Sequence, residues 1–199
     1  MNRFVPFALA LSILLPGCGG GTPQPAQAQP PLAGAAIGGP FTLVDGDGRT
    51  VTDKSFAGRY RIMYFGYTFC PDVCPVDMQN IGAGMKLLEK SDPAIAAKIV
   101  PVFVTVDPAR DTPAVVKQFA TAFYPRAIGL TGTERQVADA AAAYRVYYKK
   151  QPAPAGSTGY LVDHMRAAYL MSPDNKPIAL LPSDQSGEAV AAEIRKWVN

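Results

Sequence analysis

Histidine is almost missing from this chain: among 199 residues there is one, His164. Any chemistry that needs an imidazole must use it. Cysteine is nearly as scarce, with three copies, and only Cys70 and Cys74 lie near each other. Three are too few for the four thiolates that usually hold an iron–sulfur cluster. With His164 they also fall short of the four protein ligands of a closed structural zinc site, because Cys18 lies in a leader-like segment. Basic charge is thin as well. The formal net charge is +3 and no run of Lys or Arg occurs, which argues against a nucleic-acid surface. No internal repeat is present. The charged fraction of 18% against 48% hydrophobic describes a globular protein, with room for one domain once the ends are set aside. Nor does the apolar stretch at residues 4–17, interrupted by Pro6, reach the roughly 20 residues of a membrane-spanning helix.

What is present begins with an address. Met1-Asn2-Arg3 and the short apolar run form a leader, and Leu15-Pro16-Gly17-Cys18 is similar to a bacterial lipobox, so residues 1–18 are read as a signal segment with Cys18 as a lipidation site. Two acyl chains there, at ~0.8 kcal/mol per buried CH₂, would hold the protein on a membrane. Residues 19–40, rich in Gly, Pro, Ala and Gln and without charge, read as a flexible linker. Export is expected, into an oxidising compartment in which Cys70 and Cys74 form a matched pair.

From Phe41 onward strands and helices alternate. A hairpin over residues 41–51 turns on Asp45-Gly46-Asp47-Gly48. The continuous apolar runs at 60–66 and 99–106 read as strands covered on both faces. Helices are expected from Pro75 to about Lys90, from Pro113 to Tyr124 with Asp111 or Thr112 as cap, after the Thr133 cap, and from Gly187 to Trp197. Short strands are expected at 127–131, 160–163, 168–171 and 178–181. The fold class is α/β, with the domain spanning 41–199 and hairpins added at its ends.

Cys70 and Cys74 follow the first buried strand. Pro75 disfavours a helical conformation at Cys74 but suits a helix start, so both thiols are placed on a loop ahead of a helix. The positive end of that helix favours thiolate. The competing reading is a pair of inert buried cysteines; a loop position predicts exposure instead. Two thiolates and an imidazole are a soft donor set suited to copper, with three ligands satisfying Cu(I) and leaving Cu(II) open to exchange. Asp72 and Asp163 are candidate supports for the ligands. Met165 is assigned to core packing by strand alternation. The Arg110-Asp111 loop is left between partner contact and a capping turn.

The stretch Tyr64-Phe65-Gly66-Tyr67-Thr68-Phe69-Cys70-Pro71-Asp72-Val73-Cys74-Pro75 resembles the signature of the Sco/SenC family of copper-binding proteins. Asp107-Pro108-Ala109-Arg110-Asp111-Thr112-Pro113, Gly129-Leu130-Thr131-Gly132-Thr133, Tyr144-Arg145-Val146-Tyr147-Tyr148 and Leu161-Val162-Asp163-His164 match in the same order. The resemblance covers roughly residues 40 to 198. It implies a thioredoxin-like fold with a central mixed β-sheet flanked by helices. It also implies a membrane-tethered periplasmic location and copper, Cu(I) and Cu(II), bound by Cys70, Cys74 and His164. The implied role is building the dinuclear copper site of cytochrome c oxidase subunit II, with another periplasmic copper chaperone or thiol reductase as a further partner.

Two functions compete. One is a metallochaperone that hands over copper. The other is a thiol–disulfide oxidoreductase that uses a redox-active Cys70–Cys74 disulfide to reduce the target's cysteines. Thioredoxin-like redox motifs usually separate the cysteines by two residues, and here three intervene. In an unbroken helix the two Cβ atoms would lie ~5–6 Å apart, against the ~3.8 Å a disulfide needs. A non-helical loop leaves closure open. A peroxidase reading gives His164 no task.

Overall fold

The protein is described here by a computed structural model that covers residue 1, residues 29–152 and residues 159–198. Cys18, the rest of the leader and linker residues 19–28 lie outside the described residues. The chain is built around β3 (Tyr60–Gly66), whose residues from Arg61 on are all buried. Burial on both faces follows from alternation: the Tyr64 hydroxyl reaches Asp77 on one side, while the Phe65 ring meets Tyr144 at 5.2 Å on the other. Each such apolar side chain contributes about 1.5–3 kcal/mol on burial.

Around it lies a seven-stranded mixed sheet. β4 (Ile99–Thr105) and β5 (Ile128–Thr131) run parallel to β3. β8 (Ala168–Met171) lies antiparallel on its other side, followed by β9 (Pro177–Leu180). β1 (Thr42–Asp45) and β2 (Thr50–Thr52) form the expected N-terminal hairpin, with Leu43 opposite Val51, and β1 joins the sheet through β5. α1 (Val73–Ser91) and α3 (Pro113–Phe123) make the two parallel crossovers, and a short α2 (Pro93–Ala97), not anticipated, follows α1. α4 (Glu134–Ala143) starts in a Thr133–Gln136 capping box and buries Val137, Ala140 and Ala141. α5 (Gly187–Trp197) crosses α1 where Gly84 faces Gly187: a Cβ on Gly84 would stand 2.9 Å from the Gly187 carbonyl.

Two expectations are corrected, and one strand was not foreseen. Helix α1 begins at Val73, so Cys74 is helical and Pro75 is the third helical residue. The first four helical N–H groups lack intrahelical partners anyway, so the missing donor at Pro75 costs nothing there. A strand that was not expected, β6 (Tyr148–Pro152), pairs with β7 (Tyr160–His164), which carries His164, in a separate two-stranded sheet. Finally, residues 30–40, read as linker from their composition, lie against the domain. The Leu32 N–H donates to the Ile178 carbonyl at 3.0 Å and the Gly38 N–H to the Ala143 carbonyl at 2.9 Å. Leu32 and Ile37 pack on the core, and Asn175 Nδ2 donates to the Gly39 carbonyl at 3.3 Å. Two apolar side chains among small residues were enough to bind this strap.

Candidate metal centre

Cys70 lies in the loop after β3, Cys74 in the first turn of α1 and His164 at the end of β7. Their ligand atoms all fall within 4.8 Å of one another. The two thiols are free. Contrary to the loop-exposure expectation, Cys70 is 8% exposed and Cys74 not at all. Gly66 makes room for this: a Cβ there would stand 2.8 Å from the Cys74 sulfur.

The imidazole is oriented by its own backbone. Its Nδ1 lies 3.1 Å from the Met165 carbonyl, which can only accept, so Nδ1 carries the hydrogen. That leaves the Nε2 lone pair directed at Cys74, 3.2 Å from its sulfur. The Tyr67 ring stands edge-on to the imidazole, with centroids 6.0 Å apart. Cys70 is held well below the ordinary thiol range, chiefly by the hydrogen bond from Cys74, with help from the backbone N–H groups of Cys74 and Asp72, and against its burial. The same bond and its own burial push Cys74 up. One proton therefore stays on Cys74, and the thiolate is Cys70.

The loop that carries Cys70 is fastened from a distance. The buried Asp111 carboxylate accepts from the Thr68 N–H at 3.0 Å, the Thr68 hydroxyl at 2.6 Å and the Thr105 hydroxyl at 2.6 Å. It is thus neither a helix cap nor a surface contact. Asp107, also fully buried, accepts from the Tyr160 hydroxyl at 2.6 Å and pairs with Arg110. The Arg110 guanidinium lies 3.9 Å from the Tyr160 ring centroid, 5.0 Å from Phe69 and 5.6 Å from Tyr67. One loop after β4 thereby grips both the cysteine loop and the β6–β7 hairpin.

The two candidate supports behave differently from expectation. Asp72 is exposed and makes no side-chain cap; only its backbone N–H serves Cys70. Asp163 is exposed and accepts from Gln151 at 2.9 Å, because alternation along β7 sends it away from His164. Met165 is 37% exposed, not core: it lies past the end of β7, where alternation no longer applies. Phe69 and Val76, close in sequence to the cysteines, are exposed too. Sequence reasoning missed Asp77, a fully buried carboxylate three residues after Cys74, and Arg166, which grips it; their separation of 89 residues leaves no local signal.

A family model described as SCO1/SenC matches residues 29–199. The chain is 40% identical over 172 residues to the Arabidopsis thaliana "Protein SCO1 homolog 1, mitochondrial", covering 84% of this chain and 50% of that protein. It is 42% identical over 163 residues to "Protein SenC" of Rhodobacter capsulatus, covering 81% of this chain and 71% of the relative. It thus spans half the length of the first and under three quarters of the second. The solved structure of Bradyrhizobium japonicum ScoI with copper bound superimposes with a TM-score of 0.72 at 39% identity, covering 82% of this chain and 100% of that one. A thioredoxin domain of a thiol-disulfide oxidoreductase from Bacteroides vulgatus matches at 16% identity with a TM-score of 0.55, covering 82% of this chain and 96% of that chain. At that distance the likeness concerns fold alone, and the fold is thioredoxin-like.

Proposed function

Because this chain belongs to the SCO1/SenC family, we propose that it is a copper carrier in cytochrome c oxidase assembly, binding its cargo through Cys70, Cys74 and His164. The observation that carries this reading is the convergence of two sulfurs and a bare imidazole nitrogen within 4.8 Å. Thiolate sulfur favours Cu(I), and imidazole is a good donor to Cu(II), so one site holds the cargo in either oxidation state. Three protein donors leave a position at which an acceptor's ligand can enter. The exposed Phe69, Val76 and Met165 beside the donors offer that acceptor a surface. The acceptor we favour is the dinuclear copper site of cytochrome c oxidase subunit II, with another periplasmic copper chaperone or a thiol reductase acting upstream. Tethering in the periplasm through Cys18 and residues 19–28 belongs to the same proposal.

A second reading is favoured by the Cys70 thiolate. It would attack a target disulfide, form a mixed disulfide and release one target thiolate; Cys74, giving up its proton, would then displace the second and leave a Cys70–Cys74 disulfide. Both readings use the same sulfurs, and a disulfide sulfur cannot bind as thiolate, so copper and disulfide exclude each other.

The test is copper loading of variants in each oxidation state, read by EPR and by competition with a Cu(I) chelator. Replacing either cysteine with Ala should abolish both. His164→Ala should strongly weaken Cu(II) binding while Cu(I) stoichiometry stays near one. A parent Cu(II) spectrum and affinity in His164→Ala would remove the histidine from the ligand set, and stoichiometric copper on fully oxidised protein would remove the cysteines.

A further inference from the structure

A buried carboxylate needs a cation or several donors, since burying it alone is costly. Asp77, with no exposure at all, has both. The Tyr64 hydroxyl donates to it at 2.9 Å, and Arg166 donates twice, from Nε at 2.8 Å and Nη2 at 2.6 Å. Residues three apart on a helix lie on one face, so Asp77 follows Cys74 along the same side of α1. Arg166 comes from the stretch between β7 and β8, two residues after His164. Two links therefore run side by side. Cys74 to His164 joins α1 to the end of β7, and Asp77 to Arg166 joins the same helix to the same stretch about one turn further on.

We propose that the Asp77–Arg166 pair is a positioning device for His164, holding its segment against α1 so that Nε2 stands at the Cys74 sulfur before any metal arrives. The proposal rests on the reading of Cys70, Cys74 and His164 as the copper donors. Among the described residues, the other hydrogen bonds of His164 and Met165 run elsewhere than to the helix. The Nδ1–H bond to the Met165 carbonyl is internal to the segment, and the Met165 N–H donates to the Tyr147 carbonyl at 2.8 Å, within the β6–β7 hairpin region. Tyr67, perpendicular to the imidazole, belongs to the loop after β3 and not to α1. The two-pronged guanidinium contact fixes direction as well as distance, which a single-point ammonium cannot do. Neither residue is a donor; they act through the histidine.

The single histidine makes the test clean, because the chain has one imidazole signal set. In full-length, reduced, metal-free protein labelled with ¹⁵N-histidine, NOEs from the His164 ring to Tyr67 and to Cys74 Hβ report its placement. Arg166→Gln should lose these NOEs and lower Cu(II) affinity about 10–100-fold, the usual cost of removing a group that orients a ligand. Cu(I) stoichiometry should remain at one. Arg166→Lys should fall between parent and Arg166→Gln. A folded Arg166→Gln with parental NOEs overturns the proposal, and so does an equal loss of Cu(I) and Cu(II) affinity with the ring still in place. Should Arg166→Gln fail to fold, Asp77→Ala combined with Arg166→Ala leaves no charge buried alone, and the same readouts decide. His164→Ala separates the two readings. A parental Cu(II) spectrum there sinks the copper assignment, while the metal-free NOEs still decide the positioning.

Discussion

Cys70 and Cys74 share one proton, and burial together with their mutual hydrogen bond leaves it on Cys74. Metal binding needs thiolates, so the proton count follows. Cys70, lowered, is ionised from neutral pH well into acid; Cys74, raised, stays protonated across the same window. In His164→Ala, where no imidazole proton can add to the count, Cu(I) binding between roughly pH 5.5 and 7.5 should therefore release one proton, and affinity should rise about tenfold per pH unit. Two ordinary thiols would release two protons, about a hundredfold per unit. Chelator competition across that range, with calorimetry in two buffers of different ionisation enthalpy, measures the slope. A slope of two would overturn the assignment of the thiolate to Cys70. At this scale the sequence was a partial guide. The donors could be named because the chain offers so few alternatives, whereas their burial, the escape of Asp163 to Gln151 and the grip of Asp111 on Thr68 depend on partners brought together only by the fold.

Helix α5 was legible to its bounds, Gly187 to Trp197, because a Ser cap and an apolar stripe mark it. The start of α1 was not, since the bias that Pro75 places on Cys74 is a preference and yields to the packing of Val73 and Cys74. Pairing of β7 with β6 was hidden as well, because residues 148–152, mostly polar and ending in Pro152, carry no strand signal of their own and β6 was not expected. The crossing of α1 and α5 supplies a test. Gly84→Ala gains up to about 1 kcal/mol of helix propensity. Its new Cβ would lie 2.8 Å from Val190 and 2.9 Å from the Gly187 carbonyl. Overpacking typically costs about 1–3 kcal/mol, and backbone cannot swing aside as a flexible side chain can, so we expect a net loss and a lower urea midpoint. A variant as stable as the parent would show that the two helices can separate freely.

For the whole molecule, the proposed anchor is separable from the domain. Cys18→Ala should yield unprocessed or soluble protein that still loads copper, as fractionation and intact mass would reveal; an unmodified Cys18 in the mature protein would end the lipoprotein reading. Residues 30–40 bear on what such an anchor does. They are seated beside Ile178 and Asn175, and Asn175 in turn accepts from Arg61, near the beginning of β3. The sulfurs follow Gly66, at the other end of that strand, seven residues and so roughly 20 Å away. The chain thus enters at one pole and presents its donors at the other. Held by its N-terminus to a bilayer, the molecule would stand like a lamp on a post, its light turned from the ground. A metal site lying flush with the lipid would be out of its beam; one raised on a domain of comparable height would be met face to face.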